Sequence, residues 1–285
     1  MRVTVRVPAT SANLGSGFDC FGLALELCNE VVIEADAEPD VVSWVGEGAD
    51  ELPVDGSDLI HATMRTVAAE RELPRFSMRA TNRIPLARGL GSSSAAVVAG
   101  SAAALALLGD DPWPSRVFTH ASSIEGHPDN AAPACFGGFT IAMPGGVVRR
   151  LEPHADLRPV LLVPEHITMP TDEARIALPE TVPRADAVFN VAHAALAVEA
   201  LTRDPSLLAE ALRDRLHQDV RLRLVPAVRD VFEKVRDAGI PTCVSGSGPT
   251  LLTFPGPDRP MPDAGADWRA LPLTVRKTGF ELEVA

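Results

Sequence analysis

No tyrosine occurs among the 285 residues, and only two of the 26 basic residues are lysines, Lys234 and Lys277. The first absence removes the phenol as an acid or base. The second means that no lysine precedes position 234. A Walker-type lysine, a Schiff-base lysine or a lysine activating a catalytic carboxylate would have to come from the end of the chain. A coding bias towards Arg and Ala accounts for the counts without restoring the missing groups. Positive charge is also short: 38 acidic residues against 26 basic leave a net charge of −12. That balance argues against a nucleic-acid partner or an anionic membrane surface, and any polyanion bound here should be small and locally cradled. Cysteine is sparse, and Cys20, Cys28, Cys135 and Cys243 show no C-x-x-C spacing. The start, MRVTVRVPAT, alternates polar and apolar residues where a signal peptide has an apolar block, so a reduced, cytoplasmic enzyme is expected. Long apolar runs are missing too. Ala95–Leu108 is too short to span a bilayer and reads as a buried helix.

What is present is ordinary globular composition, 46% hydrophobic, which excludes disorder and a collagen-like chain. The length suits two modest domains. The chain turns charged and proline-punctuated over Leu151–Arg158, which predicts domains at 1–152 and 153–285. The first opens β-rich, with strands at Arg2–Val7, Val31–Ala35 and Val41–Val45. Between the first two, Pro8–Asp19 is rich in Ser, Asn and Gly and reads as a binding loop. An amphipathic helix over Asp58–Glu72, capped by Asp58, precedes a strand at Arg75–Thr81. A Gly/Ser-rich loop then runs into the apolar helix that Gly109 ends, followed by a polar helix to Glu125, a loop at Gly126–Pro133 and strands near Phe139 and Val147. In the second half, Val160–Val163 reads as a buried strand, Ala185–Thr202, Pro205–Arg213 and Pro226–Ala238 as helices, and Leu273–Val284 as an alternating strand.

The strongest chemical signal is P-L-A-R-G-L-G-S-S-S-A-A, Pro85 to Ala96. Gly89 and Gly91 allow close backbone approach and positive φ, and three serines open a helix whose first amides have no internal partners. Such a helix start attracts phosphate, and serine hydroxyls can bond phosphate oxygens or ligate magnesium. The segment lacks the G-K-[ST] ending of a P-loop and the third glycine of G-x-G-x-x-G. A plain Ser-capped helix after a glycine turn would be simpler, but two glycines and three serines exceed what capping needs. A serine hydrolase is disfavoured by the lack of G-x-S-x-G.

P-x-x-x-G-L-G-S-S-x-A resembles the phosphate motif of the GHMP kinases. P-A-T-S-A-N-L-G-S-G-F-D, Pro8 to Asp19, is similar to the N-terminal motif of the homoserine kinase branch of that family, and S-G-S-G-P-T, Ser245 to Thr250, to its third, glycine-rich motif. The resemblance covers Val3 to about Phe254. It implies an α+β, two-domain architecture: an N-terminal domain like domain 2 of ribosomal protein S5, and a C-terminal ferredoxin-like domain. It implies ATP and Mg2+ as cofactors and phosphorylation of the side-chain hydroxyl of L-homoserine to O-phospho-L-homoserine in threonine biosynthesis. A homodimer is implied as well. Another GHMP small-molecule kinase, or a non-catalytic ligand sensor on this fold, is the alternative. Carried over to this sequence, Pro85, Arg88, Gly89, Leu90, Gly91, Ser92, Ser93, Ser94 and Ala95 would meet the nucleotide. Ser93 and Glu125 would hold magnesium. Asn13, Asp19, His127, Asp129, Asn130, Arg175 and Arg221 would line the homoserine pocket, with Asp129, Asn130 and Glu125 at the reacting groups. Trp44, Val54 and the segment before Leu59 are candidates for the adenine pocket.

A zwitterionic hydroxy amino acid needs a carboxylate clamp, an ammonium acceptor and groups beside the hydroxyl. Arg175, after Thr171 and Asp172 at a helix start, and Arg221, in H-Q-D-V-R, can fork to a carboxylate, and Asp19 can accept an ammonium. Three readings are open for E-G-H-P-D-N, Glu125 to Asn130: a zinc site on Glu125, His127 and Asp129, a capped turn, or a loop at the reacting hydroxyl. The last is preferred. Asp129 has no lysine neighbour in sequence, so Asp129 and Asn130 are expected to orient the hydroxyl, its proton passing late to phosphate or solvent.

Overall fold

The computed structural model describes residues 1–35, 41–143 and 145–285. In chain order the first half comprises β1 (Arg2–Ala12), β2 (Phe21–Ala35), β3 (Val42–Gly46), α1 (Leu59–Ala68), β4 (Phe76–Asn82), α2 (Ser92–Leu107), α3 (Pro114–Glu125), α4 (Ala131–Phe136), β5 (Phe139–Ala142) and β6 (Val148–Leu151). The second half comprises β7 (Val160–Pro164), α5 (Thr171–Ile176), α6 (Arg184–Thr202), α7 (Leu208–Ala211), α8 (Gln218–Leu224), α9 (Pro226–Asp237), β8 (Thr242–Val244), β9 (Leu251–Thr253), β10 (Trp268–Pro272) and β11 (Glu281–Val284). A 3₁₀ turn at Pro205–Leu207 leads into α7, where one continuous helix over Pro205–Arg213 was expected. No helix among the described residues is long and apolar enough to cross a membrane.

The first sheet runs β11–β1–β2–β4–β3, with β5 paired to β2 and β6 to β5. Only β3 and β4 run parallel among these pairs. Alternation places Val3, Val5, Val31 and Ile33 on the buried face. Against it packs α2, a helix apolar all round and so buried on almost every side. Asp58 caps α1 as predicted, its Oδ1 accepting from the amides of Ile60 and His61 at 2.9 and 3.1 Å. The second sheet, β10–β7–β9–β8, is antiparallel. Its Leu162, Val244 and Leu251 meet Leu222, Val228, Phe232 and Val235 from α8 and α9.

Two further expectations need correction. Pro8–Asp19 is a binding loop only in its second half, because β1 continues to Ala12 through a register shift between Pro8 and Ala9. Proline fits such a bulge because it has no amide to give the ladder. Ala9, Thr10, Ser11 and Ala12 are fully buried small residues, a composition that suggests a loop yet here lets other backbone pack tightly on the strand. Likewise, Leu273–Val284 is not one strand. Between β10 and β11 the chain crosses from the second sheet to the first, and its backbone bonds in turn to Pro159, Glu26, Ala24, Gly138 and Ala134. The last strand then pairs with β1, Val3 opposite Val284.

Candidate active site

Gly91 takes up φ +69 immediately before α2 and Gly89 φ +72, so the loop needs glycine at both. A Cβ on Gly89 would run into the Ser245 carbonyl and lie 2.7 Å from the Gly248 carbonyl oxygen. One on Gly91 would strike the Thr10 hydroxyl. The S-G-S-G segment and the end of β1 therefore lie directly against the loop. Ser245 Oγ donates to the Gly89 carbonyl at 2.7 Å and is 2.8 Å from Ser11 Oγ. The loop is pre-shaped, with the free amides at the start of α2 turned towards a cavity of about 340 Å3.

That cavity gathers most of the residues singled out in the sequence. Asn13, Asp19, Arg88, Gly89, Leu90, Gly91, Ser92, Ser93, Ser94, Glu125, His127, Asp129, Asn130, Arg175 and Arg221 all line it. Pro85 and Ala95 do not: Ala95 lines an adjacent cavity of about 330 Å3 with Trp44, Asp58, Leu59 and Met169, and Val54 is outside both. The Arg88 guanidinium is spent on backbone, donating to the carbonyls of Pro164, Leu86 and Glu165 at 2.7, 2.9 and 2.6 Å. It ties the phosphate-type loop to the end of β7.

Glu125, the last residue of α3, accepts from Ser93 Oγ at 2.6 Å and from Ser94 Oγ. This brings an all-oxygen donor set together at the mouth of the helix. Among the described residues no group of three or more His, Cys, Asp or Glu is arranged to hold a metal, so nothing in the geometry supports the zinc reading of Glu125, His127 and Asp129. In the E-G-H-P-D-N loop, Asp129 is buried and its Oδ1 accepts from the Asn130 amide and lies 3.0 Å from His127 Nδ1. The hydrogen bond to Asp129 holds the His127 pKa above its ordinary value. Thr10 donates to Asn130 Oδ1 at 2.7 Å, which leaves the Asn130 amide nitrogen as the donor towards the cavity. Gly22 seats this loop, since a Cβ there would overlap the Asp129 carbonyl.

Asn13, Leu14 and Asp19 all have positive φ, a concentration of left-handed backbone in the turn after β1. Asn13 stabilises it by accepting from the Asp19 amide at 2.9 Å and donating to the Gly246 carbonyl at 2.9 Å. Asp19 is met by Arg175 from the short helix α5 in a two-pronged contact, both bonds 2.9 Å. The proposed ammonium acceptor and one arm of the proposed carboxylate clamp thus pair with each other. Arg221 of α8 is buried, and burial lowers its pKa to about 10. Phe18 lies between the two arginines, its ring centre 5.9 Å from the Arg175 guanidinium carbon and 5.5 Å from that of Arg221. Sequence reasoning did not single out Thr10, Phe18 or His217, which touch residues of the site: Thr10 bonds Asn130, Phe18 faces both arginines, and His217 Nδ1 lies 3.0 Å from Arg221 Nη1. Each left a trace in a quoted segment: Thr10 and Phe18 within P-A-T-S-A-N-L-G-S-G-F-D, and His217 one helical turn before Arg221 in H-Q-D-V-R.

The model of the GHMP kinases N terminal domain matches residues 58–138, and that of the GHMP kinases C terminal domain matches residues 194–270. The chain belongs to the GHMP kinase family. This GHMP kinase is 42% identical to the homoserine kinase of Clavibacter michiganensis subsp. michiganensis, over 99% of this chain and 94% of that one. To the homoserine kinase of Streptomyces avermitilis it is 43% identical, over 97% of this chain and 94% of that one. The crystal structure of homoserine kinase from Cytophaga hutchinsonii superposes with a TM-score of 0.83 at 26% identity, covering 99% of this chain and 97% of that one. The two-domain α+β GHMP kinase fold expected from the motifs is the fold found, and as a kinase of this family the chain uses ATP.

Proposed function

We infer that this GHMP kinase is a homoserine kinase, transferring the γ-phosphoryl group of ATP to the side-chain hydroxyl of L-homoserine to form O-phospho-L-homoserine for threonine synthesis. The observation that carries the reading is a single cavity in which the anion-binding start of α2 is joined by Asp19, Arg175 and Arg221, a charge set that answers both ends of an α-amino acid. The homoserine kinase relatives support it.

The chain's contribution is positioning and charge. Backbone amides from Gly89 to Ser94 hold the phosphates without a lysine. The apolar cavity at Trp44 and Leu59 takes the adenine. Asp19 receives the ammonium, Arg175 and Arg221 the carboxylate, and Asn13 holds the Asp19 backbone in place. Asp129, steadied by His127 and by the Asn130 amide, orients the acceptor hydroxyl together with the Asn130 side chain. Phosphoryl transfer needs alignment more than a strong base, and the hydroxyl proton leaves late, to the phosphate or to solvent. Ser93 and Glu125 are the residues that would hold Mg2+, because hydroxyl and carboxylate oxygens already converge there. When bound, that ion neutralises phosphate charge.

Domains at 1–152 and 153–285, a homodimer and a cytoplasmic setting belong to the same proposal. The four free cysteines agree with a reducing compartment. Val188 and Val191, 62% and 73% exposed on α6, offer an apolar face for a second copy.

The deciding experiment is a coupled ADP-release assay with L-homoserine, mevalonate, galactose and L-threonine. Turnover with homoserine is expected. Turnover with mevalonate but not homoserine refutes the assignment, and nucleotide binding without ADP release from any substrate supports the ligand-sensor alternative.

A further inference from the structure

A buried guanidinium without a carboxylate partner needs something to hold it in one orientation. Arg221 is 4% exposed, and no ion pair reaches it among the described residues. Nη1 donates to the Gly246 carbonyl at 2.7 Å and lies 3.0 Å from His217 Nδ1. Nε is buried with no hydrogen-bond partner. The positive charge is thus fixed along one side only, on a residue that lines the cavity.

The imidazole that fixes it is fully buried. His217 Nε2 is 2.8 Å from the Gly15 carbonyl oxygen, which can only accept, so Nε2 carries the proton. Nδ1 is then a lone pair aimed at an Arg221 N–H. Protonation of Nδ1 would set two donors against each other, and burial holds the ring below its ordinary pKa and so neutral. The ring's own backbone is fastened in turn. Asp214 Oδ2 accepts from the amides of His217 and Gln218, both at 2.8 Å, while Asn190 donates to Asp214 Oδ1 at 2.7 Å. Phe18 stacks on the ring with centroids 5.2 Å apart.

We propose that His217 is a positioning residue for the amino-acid substrate: its neutral imidazole, held by Gly15, accepts from Arg221 and so presents the remaining guanidinium N–H groups to the substrate carboxylate. This rests on the homoserine kinase reading. It adds a requirement for an acceptor at one atom, Nδ1, that no catalytic step supplies.

Two substitutions separate that requirement from a merely structural tie. In His217→Asn the side-chain oxygen can take the place of Nδ1 but cannot reach Gly15. In His217→Gln the amide reaches Gly15 and leaves Arg221 without its acceptor. With L-homoserine and ATP varied separately, His217→Gln should raise the KM for homoserine about tenfold or more, the scale of a lost charge-assisted hydrogen bond, with the KM for ATP within about twofold. His217→Asn should stay within about threefold of the wild type in both. Equal homoserine KM values for the two variants, a larger loss in His217→Asn, or a rise shared by ATP would overturn the proposal. Should either variant not fold, 15N spectra of the histidine-labelled wild type give a second readout. A buried Nε2–H tautomer near pH 7 is expected, and an imidazolium or an Nδ1–H tautomer refutes it. Wild-type enzyme inactive on homoserine would instead strike at the parent reading.

Discussion

With Asp19 taking the ammonium and Arg175 the carboxylate, as proposed, binding of a zwitterion exchanges the Asp19–Arg175 pair for two pairs with the ligand, and the cost of parting them sets a measurable sign. Their contact is bidentate, with two 2.9 Å bonds, but the side chains are 34% and 41% exposed, so solvent screens it. It is worth about 1 kcal/mol or less, a factor of about five in an equilibrium. A substrate carboxylate on Arg175 regains a charge-assisted pair, and removing one partner of such a pair typically costs about 2–3 kcal/mol. Arg175→Gln therefore does two opposite things. It removes the clamp, and it releases Asp19 from its internal partner. For homoserine the net loss is about 1–2 kcal/mol, which raises the dissociation constant by roughly 5- to 30-fold. For aminopropanol, the analogue without a carboxylate, only the second effect counts, and affinity should improve by up to about fivefold. Titration calorimetry of both ligands on both proteins measures this. If aminopropanol weakens together with homoserine, or neither moves, the two charges do not exchange partners on binding.

Gly89→Ala forces a side chain into φ +72 and against the backbone of Ser245 and Gly248; at about 1 kcal/mol for the left-handed backbone and about 1–3 kcal/mol for overpacking, thermal unfolding should shift down and the KM for ATP should rise. An unchanged melting temperature would show that the two loops do not press on each other. Asp129→Asn should keep kcat within about tenfold, whereas removing an essential base costs about 10²- to 10⁴-fold, and steady-state turnover distinguishes the two. Glu125→Gln should raise the magnesium concentration needed for half-maximal activity by about tenfold or more, and an unaltered metal titration would remove Glu125 from the ion's ligands. His127 has a pKa raised by its bond to Asp129. Its stabilisation is therefore complete below the unfolded value of about 6.5 and is lost as pH rises through the raised folded value. The difference in unfolding free energy between wild type and His127→Gln should shrink as pH rises from below about 6.5 through the raised folded value; a difference that grows would reverse the assignment.

The legible parts of this protein were those whose information is local. The Gly89–Ser94 turn, the Asp58 cap and the all-round apolar α2 depend on dihedral preference, capping and period, all written within a dozen residues. Less legible were segments whose state depends on what packs on them. Thr10 and Ser11 look like loop residues and are strand, because Gly91 and Ser245 press against them. Residues 273–280 alternate like a strand yet pair with several partners, because they bridge two sheets.

By itself the sequence determined a lysine-free, Gly- and Ser-rich helix start and the three family motifs, and with them the GHMP kinase fold. Among 24 arginines, it did not determine what each charge meets. That was decided only when the turn after β1, the start of α5, the start of α8 and the S-G-S-G segment came to one cavity. Arg88 was taken up by carbonyls, Arg175 by Asp19, and Arg221 was left buried on a neutral imidazole. A guanidinium has the same charge everywhere in the chain. Its role follows from desolvation and from which hydrogen-bond donors remain unspent, and both are set by residues far away in sequence.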